Sequence, residues 1–199
     1  ITAVAGQKCL KINDTVRNYG PCEVPFSILY HINAGFPLLD EGSELIVSSC
    51  KVEPYEDNED SVREIDRWHQ ITKPQGNISE QNFLHTMLCD EEGYGLAAII
   101  NRKLLDGIGL YIKFKTDTLP YLSEWKMLGD IDYVAAMEPC NVPCLNRLML
   151  RKQNRLKFVK PGETKEMEIE IGVLDGSGEI NDFKYKTDAL RNAQISAIT

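Results

Sequence analysis

The alternation in "EMEIEIGV" at residues 166–173 constrains the fold more than any other stretch of the chain. Met167, Ile169, Ile171 and Val173 fall on one side of an extended backbone, and Glu166, Glu168 and Glu170 fall on the other. Successive side chains of a strand point to opposite faces, so this segment is a strand with one face buried and one in water. "GIGLYIKFKT" (107–116) repeats the pattern, setting Ile108, Leu110, Ile112 and Phe114 against Tyr111, Lys113 and Lys115. "GYGLAAIINR" (93–102) lies just upstream as its hairpin partner. "CLKINDTVRN" (9–18), "SELIVSSCKV" (43–52) and "IDYVAAME" (131–138) add strands, and "LKFV" (156–159) forms the strand before the Pro-Gly turn in "KPGET" (160–164). Helical periodicity is scarce. "NEDSVREIDRWHQI" (58–71) spaces Val62, Ile65 and Trp68 by three behind an acidic start, and "NRLMLRKQ" (146–153) can form another short helix. The acidic run "EPYEDNEDS" (53–61) reads as a solvated loop. Closely spaced strands with turns between them predict an all-β sandwich or barrel, because parallel βαβ units would need far more helix.

The bulk properties narrow the function. A chain of 199 residues with 43% hydrophobic and 26% charged side chains can close one domain around an adequate core. We read residues 1–199 as that single domain. The net charge of −8 and the lack of any long Lys/Arg run argue against nucleic acid, which needs a basic stripe, and against an anionic membrane surface. A small-molecule partner fits better. Six cysteines are too sparse for a disulfide scaffold, and "CNVPC" (140–144) lacks a second pair for a metal site. Free cysteines in a reducing cytoplasm are the expectation. The opening "ITAVAGQKCL" lacks the basic start and long apolar middle of a signal peptide, and it also lacks an initiator methionine. The chain therefore reads as a fragment or a shortened protein.

Two stretches carry chemistry. In "YHINAGFPLL" (30–39), His31 and Asn33 share one strand face and Tyr30 and Ile32 the other, and Gly35 and Pro37 then break the strand at the rim of a cleft. In "DYVAAMEPCN" (132–141), Glu138 ends an apolar strand just before a proline. Its same-face neighbours Val134 and Ala136 are small enough to leave room for a ligand. A carboxylate there is either a pocket base or a rim charge.

Together these stretches resemble the galactose mutarotase-like superfamily, the aldose 1-epimerases. "H-I-N" at 31–33 is similar to the family's catalytic histidine motif, and "M-E-P" at 137–139 is similar to its glutamate strand end. "E-Q-N-F" at 80–83 is similar to the family's sugar-binding acid, with Glu80 where aspartate is more usual. "H-x-N-x-G-x-P-L-L" (31–39), "E-W-K" (124–126) and "E-P-x-N" (138–141) look most like a bacterial branch of aldose-epimerase-related proteins. The resemblance covers about residues 8–175. It implies an antiparallel β-supersandwich, incomplete at the N-terminus, because nothing before residue 30 matches the arginine and second histidine that the family's first half supplies.

The resemblance further implies an isomerase that interconverts the anomers of a monosaccharide and needs no metal or organic cofactor. His31 is then the general acid at the ring oxygen and Glu138 the general base at the anomeric hydroxyl. Glu80, Asn33, Asn141, Trp125, Lys126 and His85 are candidates for binding the sugar. Trp125 either stacks on the ring or fills the core. Lys126, its neighbour, points the opposite way on a regular strand, so the two line one cleft only if the backbone is irregular. Asn33 and Asn141 either contact hydroxyls or brace their loops. His69 is read as structural, and the sequon "NIS" (77–79) as chance. Competing readings are a non-catalytic carbohydrate-binding sandwich and a fragment whose site needs a missing half. Exposed sheet edges would permit a homodimer.

Overall fold

The computed structural model describes the backbone of residues 1–55 and 58–198, with side chains through residue 193. Two antiparallel sheets form a sandwich. One sheet has the strand order β1 (Thr2–Ala3), β2 (Cys9–Arg17), β13 (Thr164–Asp175), β9 (Ile108–Lys115), β8 (Tyr94–Asn101), β5 (Glu44–Val47). The other runs β4 (Ile32–Gly35), β11 (Tyr133–Cys140), β10 (Tyr121–Leu128), β7 (Gln81–Met87), β6 (Ser49–Pro54). A small ribbon pairs β3 (Val24–Phe26) with β12 (Lys157–Val159). The alternating residues meet as anticipated: Ile112, Phe114, Met167 and Ile169 face Leu122, Ala135 and Met137 across one core, all at 2% exposure or less. Burying each such side chain stabilises the fold by about 1.5–3 kcal/mol.

Three features add to what the sequence reading states. "SELIVSSCKV" is one extended run, but it changes sheets at Ser48. That residue bonds Leu88, just past β7, through backbone and hydroxyl alike (Leu88 N to Ser48 O 2.7 Å; Ser48 Oγ to Leu88 O 3.0 Å), while its hydroxyl also accepts from Leu96 N of β8 at 2.9 Å. "LKFV" pairs with β3 and not with the strand that follows it. The reason is Asn18, whose amide donates to Val159 O at 2.9 Å and Cys22 O at 2.8 Å and so holds β12 away from β13.

The third is the long helix α3 (Ser177–Ile198), which follows the short helices α1 (Glu59–Arg63) and α2 (Arg147–Lys152) and lies against the outside of the six-stranded sheet. Its Ile180 and Phe183 pack with Leu174, Leu96, Ala98, Ile46 and Ile100 in a second core. Hence β8 is buried on both faces, and β13 inverts its pattern at the end: Val173 is 40% exposed and Leu174 is 7%. Tyr111 lies across Gly172 so closely that a Cβ there would collide with its ring. Part of the acidic run, Glu56 and Asp57, lies outside the described residues. Its flanks are the end of β6 and α1, where the Asn58 side chain accepts from Ser61 N and caps the helix.

Candidate active site

Strand register assembles the site. Ile32 pairs with Met137 and Asn33 with Ala136, which sets His31, one residue earlier, opposite Glu138 at the sheet edge. Tyr30 N donates to Pro139 O at 3.0 Å and keeps this approach in line. Glu138 pairs in turn with Ser123, Ser123 with Leu84, and Leu84 with Glu53. One row thus runs His31–Glu138–Ser123–Leu84–Glu53 across the outer face of the five-stranded sheet. The neighbouring row is Asn33–Ala136–Trp125–Asn82.

Side chains complete it. His31 Nε2 lies 2.8 Å from Glu138 Oε1; the imidazole side chain is 47% exposed and the carboxylate side chain 6%. The Trp125 ring meets that of His31 edge-on at 6.1 Å, and its Nε1 donates to Glu80 Oε2 at 2.8 Å. Four of the sequence candidates, His31, Glu138, Trp125 and Glu80, therefore form one connected group, with Asn33 exposed on the same face. His31 and Glu138 are in direct contact, with no hollow between them. Of the two, the imidazole on the edge strand is the half-exposed member.

Burial pushes the Glu138 carboxyl above its ordinary range, against the opposing pull of the His31 ring and of a hydrogen bond from Ser123. Carboxyl-carbon NMR titration should show Glu138 titrating above an ordinary glutamate, and higher still in His31→Asn and Ser123→Ala. A folded-state value raised in this way makes the group's contribution to stability fall as pH rises from the unfolded value through the folded one. A Glu138 resonance that follows solvent-exposed glutamates would contradict this.

Three candidates take other places. Asn141 is spent on the backbone, with Oδ1 accepting from Ile28 N at 2.8 Å and Nδ2 donating to Phe26 O at 3.2 Å, so it braces a crossing. His85 and Lys126 lie on the opposite face of the sheet, inside the sandwich, and do not line the cleft. His85 Nε2 is 3.0 Å from Glu124 Oε2 and its Nδ1 is 3.2 Å from Ser49 Oγ. The Lys126 ammonium lies 3.2 Å from Glu124 Oε1, outside hydrogen-bond geometry, and donates to the carbonyls of Trp68 and Gln70. The backbone of β10 is regular, so Trp125 and Lys126 diverge; the tryptophan takes the site face and the lysine the core. Ser123 is the residue that sequence reasoning missed. Its signal is its place two residues before Trp125, on the same face.

All six cysteines are free. Among the described residues no group of three or more His, Cys, Asp or Glu side chains is arranged to hold a metal ion, and no helix is long and apolar enough to cross a membrane.

This two-sheet architecture, with its dyad on the open sheet face, is the antiparallel sandwich of the galactose mutarotase-like fold. A candidate aldose 1-epimerase from Klebsiella pneumoniae superposes with a TM-score of 0.89 at 26% identity, over 95% of this chain and 49% of that one. A candidate aldose 1-epimerase from Escherichia coli K12 (TM-score 0.57, 16% identity, 84% of this chain, 56% of that one) shares the fold. So does a galactose mutarotase-like protein from Clostridium acetobutylicum (TM-score 0.57, 18% identity, 84% and 53%). The chain spans about half the length of these solved structures. By sequence it belongs to the DUF4432 family, a domain of unknown function, whose model matches residues 1–173. No curated protein matches it.

Proposed function

We propose that the chain carries the acid–base pair of an aldose 1-epimerase, acting on a monosaccharide. The single observation that carries this reading is the 2.8 Å contact between His31 Nε2 and Glu138 Oε1, one partner exposed and the other buried. Interconverting anomers requires the C1–O5 bond to break and re-form. The ring oxygen gains a proton while the C1 hydroxyl loses one.

Imidazole is the side chain suited to give and retake a proton near neutrality, so His31 protonates O5. Glu138, made more basic by its desolvated position, takes the proton from O1. Rotation about C1–C2 in the open aldehyde turns the other carbonyl face inward. The same pair then works in reverse, with His31 taking the O5 proton back as the ring closes. Glu80, oriented by Trp125, and Asn33 offer hydrogen bonds to ring hydroxyls, and the small Ala136 leaves room for the ring between them. No step requires a metal or an organic cofactor.

The contact also bears on the alternatives. A carbohydrate-binding sandwich without turnover needs no matched acid and base. The length of the solved structures favours a second reading in which further chain completes the sugar site.

Polarimetry of freshly dissolved α-glucose or α-galactose tests the reading. The protein, as this chain and joined to any natural upstream segment, is expected to speed the approach to equilibrium rotation beyond buffer. Rates equal to buffer for both forms, over a panel of hexoses and pentoses, would refute it.

A further inference from the structure

Beside the dyad, on the same sheet face, lies a hollow of about 440 Å³ that the reaction above does not use. Tyr55, Leu84, Cys144, Met149 and Arg155 are among the residues that line it. It connects to the dyad through one hydroxyl, since Ser123 hydrogen-bonds both the Glu138 carboxylate and the Tyr55 phenol. Tyr55 is itself fixed, accepting from Cys144 N at 2.9 Å.

The charge balance of this hollow is uneven. Glu53, on its rim, is held by Lys51 at 2.7 Å, and Glu138 by His31. Arg155 has no such partner: among the described residues no carboxylate pairs with its guanidinium and no hydrogen bond takes up its donors. Its orientation is nonetheless set, because the guanidinium lies over the Tyr121 ring, 5.3 Å from the centroid. Tyr121 stands two residues from Ser123 on the same strand face, about 6.6 Å along the strand, roughly the reach of one sugar ring. A half-buried, stacked guanidinium with free donors is built to take a planar or tetrahedral anion.

We propose that this hollow selects an acidic aldose, one whose carboxylate or phosphate group is held by Arg155 while its anomeric carbon lies at the His31–Glu138 pair. The inference rests on the reading of that pair given above, and it names the substrate class. Charge-assisted hydrogen bonds of this kind separate acidic from neutral sugars by about tenfold or more.

Titration calorimetry with D-glucuronate, D-glucose 6-phosphate and D-glucose tests it, on the wild type, Arg155→Gln and Arg155→Lys, with folding checked by circular dichroism. At least one acidic sugar is expected to bind about tenfold tighter than glucose, and the stronger of the two identifies the group as carboxylate or phosphate. Arg155→Gln should erase that preference without changing glucose affinity, and Arg155→Lys should keep part of it. Equal affinity for all three sugars, or a preference that survives Arg155→Gln, overturns the inference, as does failure of all three to bind. Arg155-dependent binding without faster anomer exchange would sink the mutarotase reading and leave the anion subsite standing. Exchange of glucose as fast as of both acidic sugars would do the reverse.

Discussion

Glu138→Gln and His31→Asn are each expected to slow anomer exchange by about 10²–10⁴-fold, the range that one positioned acid or base contributes. Glu138→Gln keeps the shape of its side chain and His31→Asn keeps a smaller polar amide in place of the ring, while both remove proton transfer, so sugar binding followed by NMR should persist. The double variant is expected to be little worse than the poorer single one, because in the proposed mechanism the two groups act on the same ring-opening step and their effects do not multiply. Ser123→Ala is the informative companion. It removes a hydrogen bond that lowers the Glu138 carboxyl, so that carboxyl rises further and the acid limb of the pH–rate profile moves to higher pH. Activity is retained above that limb, where the base is again ionised. Variants Glu138→Gln and His31→Asn that exchange anomers at the wild-type rate would remove these residues from the chemistry.

The dyad was legible because its two halves announce themselves locally. His31 and Asn33 sit two apart on a strand that Gly35 and Pro37 terminate, and Glu138 closes a run of small apolar residues. Strand parity was legible too, and it correctly separates Trp125 from Lys126. What the chain does not state is which parity faces water. "SEWKML" carries charges on Glu124 and Lys126 and an aromatic on Trp125, so ordinary patterning would put the tryptophan inside. The reverse holds because His85, from the next strand, supplies a partner that lets the charged side be buried. That partnership joins residues 85 and 124, and no local pattern contains it. The long helix escaped for a different reason: Ile180, Phe183, Thr187 and Leu190 form a narrow stripe in a polar segment, weak beside the strong alternation upstream. Its docking face, the Leu96–Ala98–Ile100 side of β8, is a short continuous apolar run that reads equally as a strand buried on one face or two.

The buried group around Glu124 carries the largest expected effect on stability. Glu124 is 0% exposed and Lys126 1%, and they share one sandwich interior with His85 at 0%. Trp68 packs edge-on against His85 at 4.8 Å, and the Lys126 ammonium lies 5.0 Å from the Phe83 ring, so aromatic side chains flank the charged group. Glu124→Leu would strand a buried ammonium with only the carbonyls of Trp68 and Gln70 for company. Lys126→Met would leave the buried carboxylate with His85 on Oε2 and no cation beside Oε1, which already lacks a hydrogen bond. Each is expected to lower unfolding free energy by about 3–5 kcal/mol, because an uncompensated buried charge costs more than the pair contributes. That is a large share of the roughly 5–15 kcal/mol that holds a typical domain together. The Glu124→Leu/Lys126→Met double variant removes both charges at once and is expected to recover most of the loss. A urea-denaturation cycle measures this as a coupling of a few kcal/mol at unchanged slope. Losses that simply add would mean that the two charges do not sense one another, and that the interior of the sandwich is wetter than its packing indicates.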